Sequence, residues 1–104
     1  MKYLKRFETL YENTKLGYYV LCEDEESVKD KNDVKTFINN NVGTIIGINK
    51  YSQYMYIVEY ENIPDEIEKF FDEGSRNMKA GEIIYWSDDK SELETYINSK
   101  KYNL

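Results

Sequence analysis

The chain contains no histidine. That removes the side chain most often used near neutral pH as general base, metal ligand and activator of a nucleophile. It contains one cysteine, Cys22, which excludes an intrachain disulfide and the usual thiolate and imidazole zinc sites. Cys22 follows Val20-Leu21 and reads as a small core residue rather than a nucleophile. Pro64 is the single proline. No apolar run approaches the length of a transmembrane helix. Lys2, Lys5 and Arg6 are followed by an amphipathic pattern, not by the apolar core of a secretory leader, so the expected location is the cytoplasm. No P-loop, dinucleotide fingerprint or nucleophile elbow is present. The acidic residues gather where loops and helix starts favour them. The expectation is therefore a protein that is not an enzyme, with no catalytic residue, no metal and no cofactor.

The 104 residues are 40% hydrophobic and 33% charged, the composition of one folded domain. Eleven tyrosines stand out. Tyrosine combines apolar area with a wet tip and suits half-buried strands and contact surfaces; an AT-rich genome favours the same residue. With 14 basic and 20 acidic residues the net charge is −6. Such a chain is repelled by a phosphate backbone unless its lysines cluster, so direct nucleic-acid binding is not expected. A host protein with a basic surface is the better-matched partner.

Along the chain, Tyr3, Leu4, Phe7, Leu10 and Tyr11 recur at helical spacing and predict an N-terminal helix over residues 1–13. Its basic first turn opposes the helix dipole. Residues 18–22 predict a strand, 42–48 a second, 54–61 a third and 82–86 a fourth. Asp33 is placed to cap a short helix through Val34, Phe37 and Ile38, which Asn39-Asn40-Asn41 closes. Gly43 and Gly47 mark a bulge or bend in the second strand. In the third, Tyr54, Tyr56, Val58 and Tyr60 alternate with Met55, Ile57, Glu59 and Glu61. Pro64 opens a short helix that buries Ile67, Phe70 and Phe71 and stops at Gly74. Ser87 is the expected cap of a final helix over 88–100 carrying Leu93, Tyr96 and Ile97. The expected fold is α+β: a small curled antiparallel sheet of about four strands over residues 17–87, an SH3-like barrel, flanked by the terminal helices.

Two surfaces are candidate partner sites. One is the run Glu23, Asp24, Glu25 and Glu26, which could steer a basic partner or simply solubilise a loop. The other is the turn bearing Lys50, Tyr51, Tyr54 and Tyr56. Tyrosines there could anchor a protein or stack bases; for Tyr54 and Tyr56 sheet packing is the better-matched reading. Tyr51, in the turn itself, is the one expected to be exposed.

Several phrases carry a resemblance: Gly17-Tyr18-Tyr19-Val20-Leu21-Cys22, Asn40-Asn41-Val42-Gly43-Thr44-Ile45, Val58-Glu59-Tyr60-Glu61-Asn62-Ile63-Pro64, Glu82-Ile83-Ile84-Tyr85-Trp86-Ser87 and Lys100-Lys101-Tyr102-Asn103. Together with the opening Met1-Lys2-Tyr3-Leu4-Lys5-Arg6-Phe7-Glu8 they resemble a diffuse group of short bacteriophage proteins. The shared phrases are structural and transfer no catalytic residue. The resemblance implies a phage-encoded protein acting in the bacterial host cytoplasm. Small acidic phage proteins without chemistry are often inhibitors of host defence. The specific expectation is an anti-CRISPR protein whose partner is a CRISPR effector nuclease with a basic nucleic-acid channel, a type VI RNA-guided ribonuclease first among them. A nucleic-acid-binding barrel and a phage structural or accessory protein are the alternatives.

Overall fold

A computed structural model describes residues 5–6, 16–23 and 32–102 of the chain. Among these residues the order is β1 (Lys5–Arg6), β2 (Tyr19–Cys22), α1 (Asn32–Asn39), β3 (Gly43–Ile48), β4 (Tyr56–Glu59), a 3-10 turn (Asp65–Phe70), β5 (Ser75–Met78), a second 3-10 turn (Ala80–Glu82), β6 (Ile83–Ser87) and α2 (Lys90–Tyr102). All strand pairings are antiparallel, and the sheet runs β1-β6-β2-β3-β4-β5. The class is α+β, as the pattern of the sequence implies.

β1 and β5 are the two edges and do not pair, so the sheet is open and the expected barrel closure is absent. It is nevertheless forced to curl. β5 and β6 lie four strand spacings apart in the order, about 19 Å in a flat sheet. The chain from Met78 to Ile83 can span only about 17 Å even when extended. The ends of the sheet must therefore bend toward each other, and Met78 and Ile83 share one hydrophobic cluster. Glycine permits part of that bend. The β3–β4 register shifts between Ile45 and Gly47. A Cβ on Gly43 would collide with Val58, and one on Gly47 would come within 2.8 Å of Ile57.

Two strands depart from expectation. Lys5 and Arg6 are not helical: they pair with Trp86 and Tyr85 and supply β6 with its outer neighbour. The rest of the predicted N-terminal helix lies outside the described residues. β5, with the polar sequence Ser-Arg-Asn-Met, carries no strand pattern of its own. It is recruited by β4, which pairs with it over Tyr56↔Met78 to Glu59↔Ser75. Glu73 and Gly74, both at positive φ, form the tight turn that enters it. The expected helix after Pro64 is a 3-10 turn beginning at Asp65 with Pro64 as its N-cap. It buries Ile67 as expected, while Phe71 directly beyond it is also buried.

The sheet sorts its side chains by alternation in β2 and β4, and register shifts at Leu21/Cys22 and Ile45/Gly47 reset it, so that Ile83 and Trp86 of β6 face the same side three residues apart. Val20, Cys22, Ile45, Tyr56, Val58, Met78, Ile83 and Trp86 pack with Val34 and Ile38 of α1 and with Ile67 and Phe71. Leu21 points the other way and meets Leu93 and Ile97 of α2. Helix ends are satisfied locally. The Asn40 and Asn41 side-chain amides donate to the carbonyls of Thr36 and Phe37, each at 2.8 Å, closing α1. The cap of α2 is Asp89 rather than Ser87: its Oδ1 accepts from the Ser91 N–H at 3.0 Å and from the Ser91 hydroxyl at 2.7 Å. Ser87 stands two residues earlier, accepting from the Asp89 N–H at 3.0 Å and donating to Glu92. No helix among the described residues is long and apolar enough to cross a membrane.

Candidate interaction surfaces

Residues 49–55 join β3 to β4 and hold their own shape. The Asn49 N–H donates to the Met55 carbonyl at 2.7 Å, across the base of the loop. The Asn49 side chain accepts from the Tyr51 N–H at 3.1 Å, and its carbonyl accepts from the Ser52 N–H at 3.2 Å. The Ser52 hydroxyl then accepts from the Tyr54 N–H at 3.1 Å. Asn and Ser side chains that bond two residues onward substitute for backbone turn bonds and stiffen the loop. Tyr51 projects from this braced turn with 100% of its surface exposed. Lys50 beside it is exposed, and Tyr54 is half-buried with the Lys79 ammonium 5.5 Å from its ring centre.

Tyr56 does not belong to this surface. It is 2% exposed and packs in the core, because in β4 the residues Tyr56, Val58 and Tyr60 all face inward. Its two neighbours in the candidate set, Tyr51 and Tyr54, lie in the loop and escape that alternation. Of the acidic run, Glu23 is exposed, and its N–H is tied to the Glu82 carbonyl at 2.8 Å. Asp24, Glu25 and Glu26 lie outside the described residues. Cys22 is fully buried and forms no disulfide. Trp86 is buried and stacks on Tyr18 with ring centres 5.3 Å apart.

Acidic residues predominate at one end of the sheet, where Lys69 is also exposed and Lys90 pairs with Glu61 at 4.0 Å. β4 leads from the hairpin tip at Tyr56 to the opposite end at Glu59. There Glu59, Glu61, Asp65, Glu66, Asp72 and Glu73 are all exposed. The tip, with Lys50 and Lys79, is locally basic. The acidic end also holds a concave feature of about 330 Å³ between α1 and the first 3-10 turn, lined by Asp33, Thr36, Phe37, Pro64, Glu66 and Ile67. Sequence reasoning assigned Asp33, Pro64 and Glu66 to helix starts, where the dipole explains acids, and so passed over this groove. The only available signal was that two acid-bearing helix starts each carry an apolar residue within four positions of their first acid, Phe37 after Asp33 and Ile67 after Asp65. One of the carboxylates is buried: Glu82, whose Oε1 accepts from the Lys79 N–H at 2.8 Å and so braces the turn before β6. Among the described residues no three of His, Cys, Asp or Glu gather as a group able to hold a metal ion.

No protein family, curated protein or solved structure matches this chain in sequence or in fold comparison.

Proposed function

We propose that this chain is a non-catalytic protein-binding module that uses the hairpin tip, with Tyr51 as its anchor. The observation that carries this reading is the wholly exposed Tyr51 on a turn fixed by its own hydrogen bonds. A rigid exposed aromatic loses little conformational freedom on binding and gains a large apolar contact, which is why tyrosine is enriched among interface hot spots. The acidic end of the sheet and the overall charge of −6 support a partner with a basic surface, drawn in by long-range attraction. The phage-like phrasing of the sequence supports a host defence nuclease as that partner: a CRISPR effector, with a type VI RNA-guided ribonuclease as the first to test. Inhibition would follow from occupying its channel or from holding a conformation that cannot cleave. The strand order and the short link from β5 to β6 support describing the scaffold as an opened relative of the SH3-like barrel.

The test is a pull-down with candidate effectors, followed by binding kinetics. Tyr51→Ala should speed dissociation by about 30-fold, the effect of removing a hot spot of about 2 kcal/mol. Reversing the charge of Glu23, Asp24, Glu25 and Glu26 should slow association instead. Capture of no effector, and recovery of the chain as a stoichiometric virion component, would overturn the reading. One observation favours a second reading: Lys50 and Lys79 stand beside Tyr51 and Tyr54, the pairing of cation and aromatic that single-stranded nucleic acid needs. A gel-shift titration with single-stranded RNA and DNA decides it. Tight binding that falls steeply with salt would transfer the function to nucleic acid.

A further inference from the structure

The groove at the acidic end is distinct from the hairpin tip and has its own chemistry. One wall is α1, presenting Asp33, Thr36 and Phe37, which sit one turn apart on the same helix face. The other is the 3-10 turn with Pro64, Glu66 and Ile67. Its floor is apolar and held in place. Ile67 is 4% exposed, and the half-buried Phe37 ring is met edge-on by Tyr60 at 5.8 Å and by Phe71 at 5.9 Å. Its rim carries Asp33 on one wall and Glu66 on the other, both exposed, with no basic residue in the lining.

Volume and charge together select an occupant. About 330 Å³ is the lower end of the range of ligand pockets, room for one large apolar side chain. A phosphate-bearing ligand would meet two carboxylates and is disfavoured. A neutral apolar group would fill the floor and leave the rim unused. A large apolar side chain with a cation on each side of it engages both. We infer that this groove docks a segment of a partner protein in which one large apolar residue is flanked by Lys or Arg. The inference rests on the proposed reading that the chain binds proteins with basic surfaces through its acidic end; it does not involve Tyr51.

The probe is a synthetic capped pentapeptide, Lys-Arg-Phe-Arg-Lys, titrated into the full isotopically labelled chain and followed by amide chemical shifts. Saturable shifts are expected at Thr36, Phe37, Glu66 and Ile67. A peptide with Ala in place of Phe should bind about tenfold more weakly or worse, as expected for loss of a buried anchor. A peptide with Glu in place of the basic residues should not bind. Thr36→Arg, at an exposed position that leaves the core intact, should weaken binding about tenfold by filling the groove and offsetting part of its negative rim. Tyr51→Ala should leave it unchanged, so failure of the hairpin reading and failure of this one are told apart. Equal binding of the Phe and Ala peptides would reduce the groove to unspecific charge attraction and overturn the inference. So would shifts centred elsewhere, an absence of saturation, or contacts in the free chain showing that residues 24–31 already fill the groove.

Discussion

On one face of the sheet a continuous cluster runs from Trp86 and Val20 through Ile45, Tyr56 and Val58 to Ile67 and Phe71. On the other, Leu21 meets only Leu93 and Ile97 among the buried side chains, with Tyr19, Val42, Tyr85 and Tyr96 around them. Adjacent residues of β2 serve these two clusters, since Val20 and Leu21 point to opposite faces. The large cluster draws on five of the strands, on α1 and on the first 3-10 turn, so its elements share buried partners and are coupled in unfolding. The small cluster fastens one terminal helix to β2 and β6. Such an element has few buried contacts and can loosen while the remainder stays folded. The lesson is that the two faces differ in cooperativity: one sets the fold and the other carries a docked helix.

Three substitutions test that difference. The largest effect is expected from Trp86→Ala, which removes the largest side chain of the main cluster and the stacking partner of Tyr18. A cost of about 3–5 kcal/mol is expected for a buried Trp→Ala change, and with domain stabilities of about 5–15 kcal/mol that is a large share of the total. Urea unfolding followed by far-UV circular dichroism reads it, and the whole transition should shift. A loss below about 1 kcal/mol would show that the main cluster is not the common anchor.

Leu93→Ala should cost about 2–3 kcal/mol, the lower part of the range for buried leucine, because α2 can relax over the cavity. Hydrogen exchange sharpens the comparison. Amides of residues 90–102 should exchange faster while those of β3 and β4 keep their protection, and the emission of Trp86 in the native state should not move. Equal loss of protection in β3 and β4 would erase the distinction between the faces.

Asp89→Ala removes the cap of α2 and should cost about 1 kcal/mol, with Asp89→Asn retaining most of it. Thermal unfolding should fall by about 4–8 °C, the response of a domain near this size to 1 kcal/mol. The companion Ser87→Ala should be milder than Asp89→Ala. The reverse ranking would restore Ser87 as the cap that the sequence pattern first indicates.

The strands that were legible in the sequence are those whose residues alternate under their own pattern: β2, β3, β4 and β6. β3 and β4 pair as a hairpin, and the bulge lies where Gly47 signalled it. β5 and β1 were not legible, because Ser75-Arg76-Asn77-Met78 and Lys5-Arg6 lack strand-forming side chains. Their backbones are extended because β4 and β6 offer unpaired edges, and a ladder bonds backbone groups whatever side chains they carry. Tyr51 was legible as an exposed turn residue. Tyr56, a candidate contact residue through its place on the hairpin, follows the sheet-packing reading that the sequence favoured: its register in β4 turns it inward. The groove beneath α1 left only a faint signal in the sequence, since its walls are separated by about thirty residues of chain and meet through packing in the main cluster, where Phe37 contacts Tyr60 and Phe71.

What the sequence determined by itself is local. Alternation decided which residues of β4 face the core, glycine marked the turn at Gly74 and the bulge at Gly47, and the lack of histidine with a single cysteine decided which chemistries have no donors. Tertiary structure alone decided the strand order, the edge pairing of β1 and β5, the open curl of the sheet and the meeting of α1 with the 3-10 turn. The physical reason is range. Dihedral preference and hydrophobic period act over a few neighbouring residues, while strand pairing and groove formation depend on backbone hydrogen bonds and packing between segments distant in sequence, on which residue type has little hold.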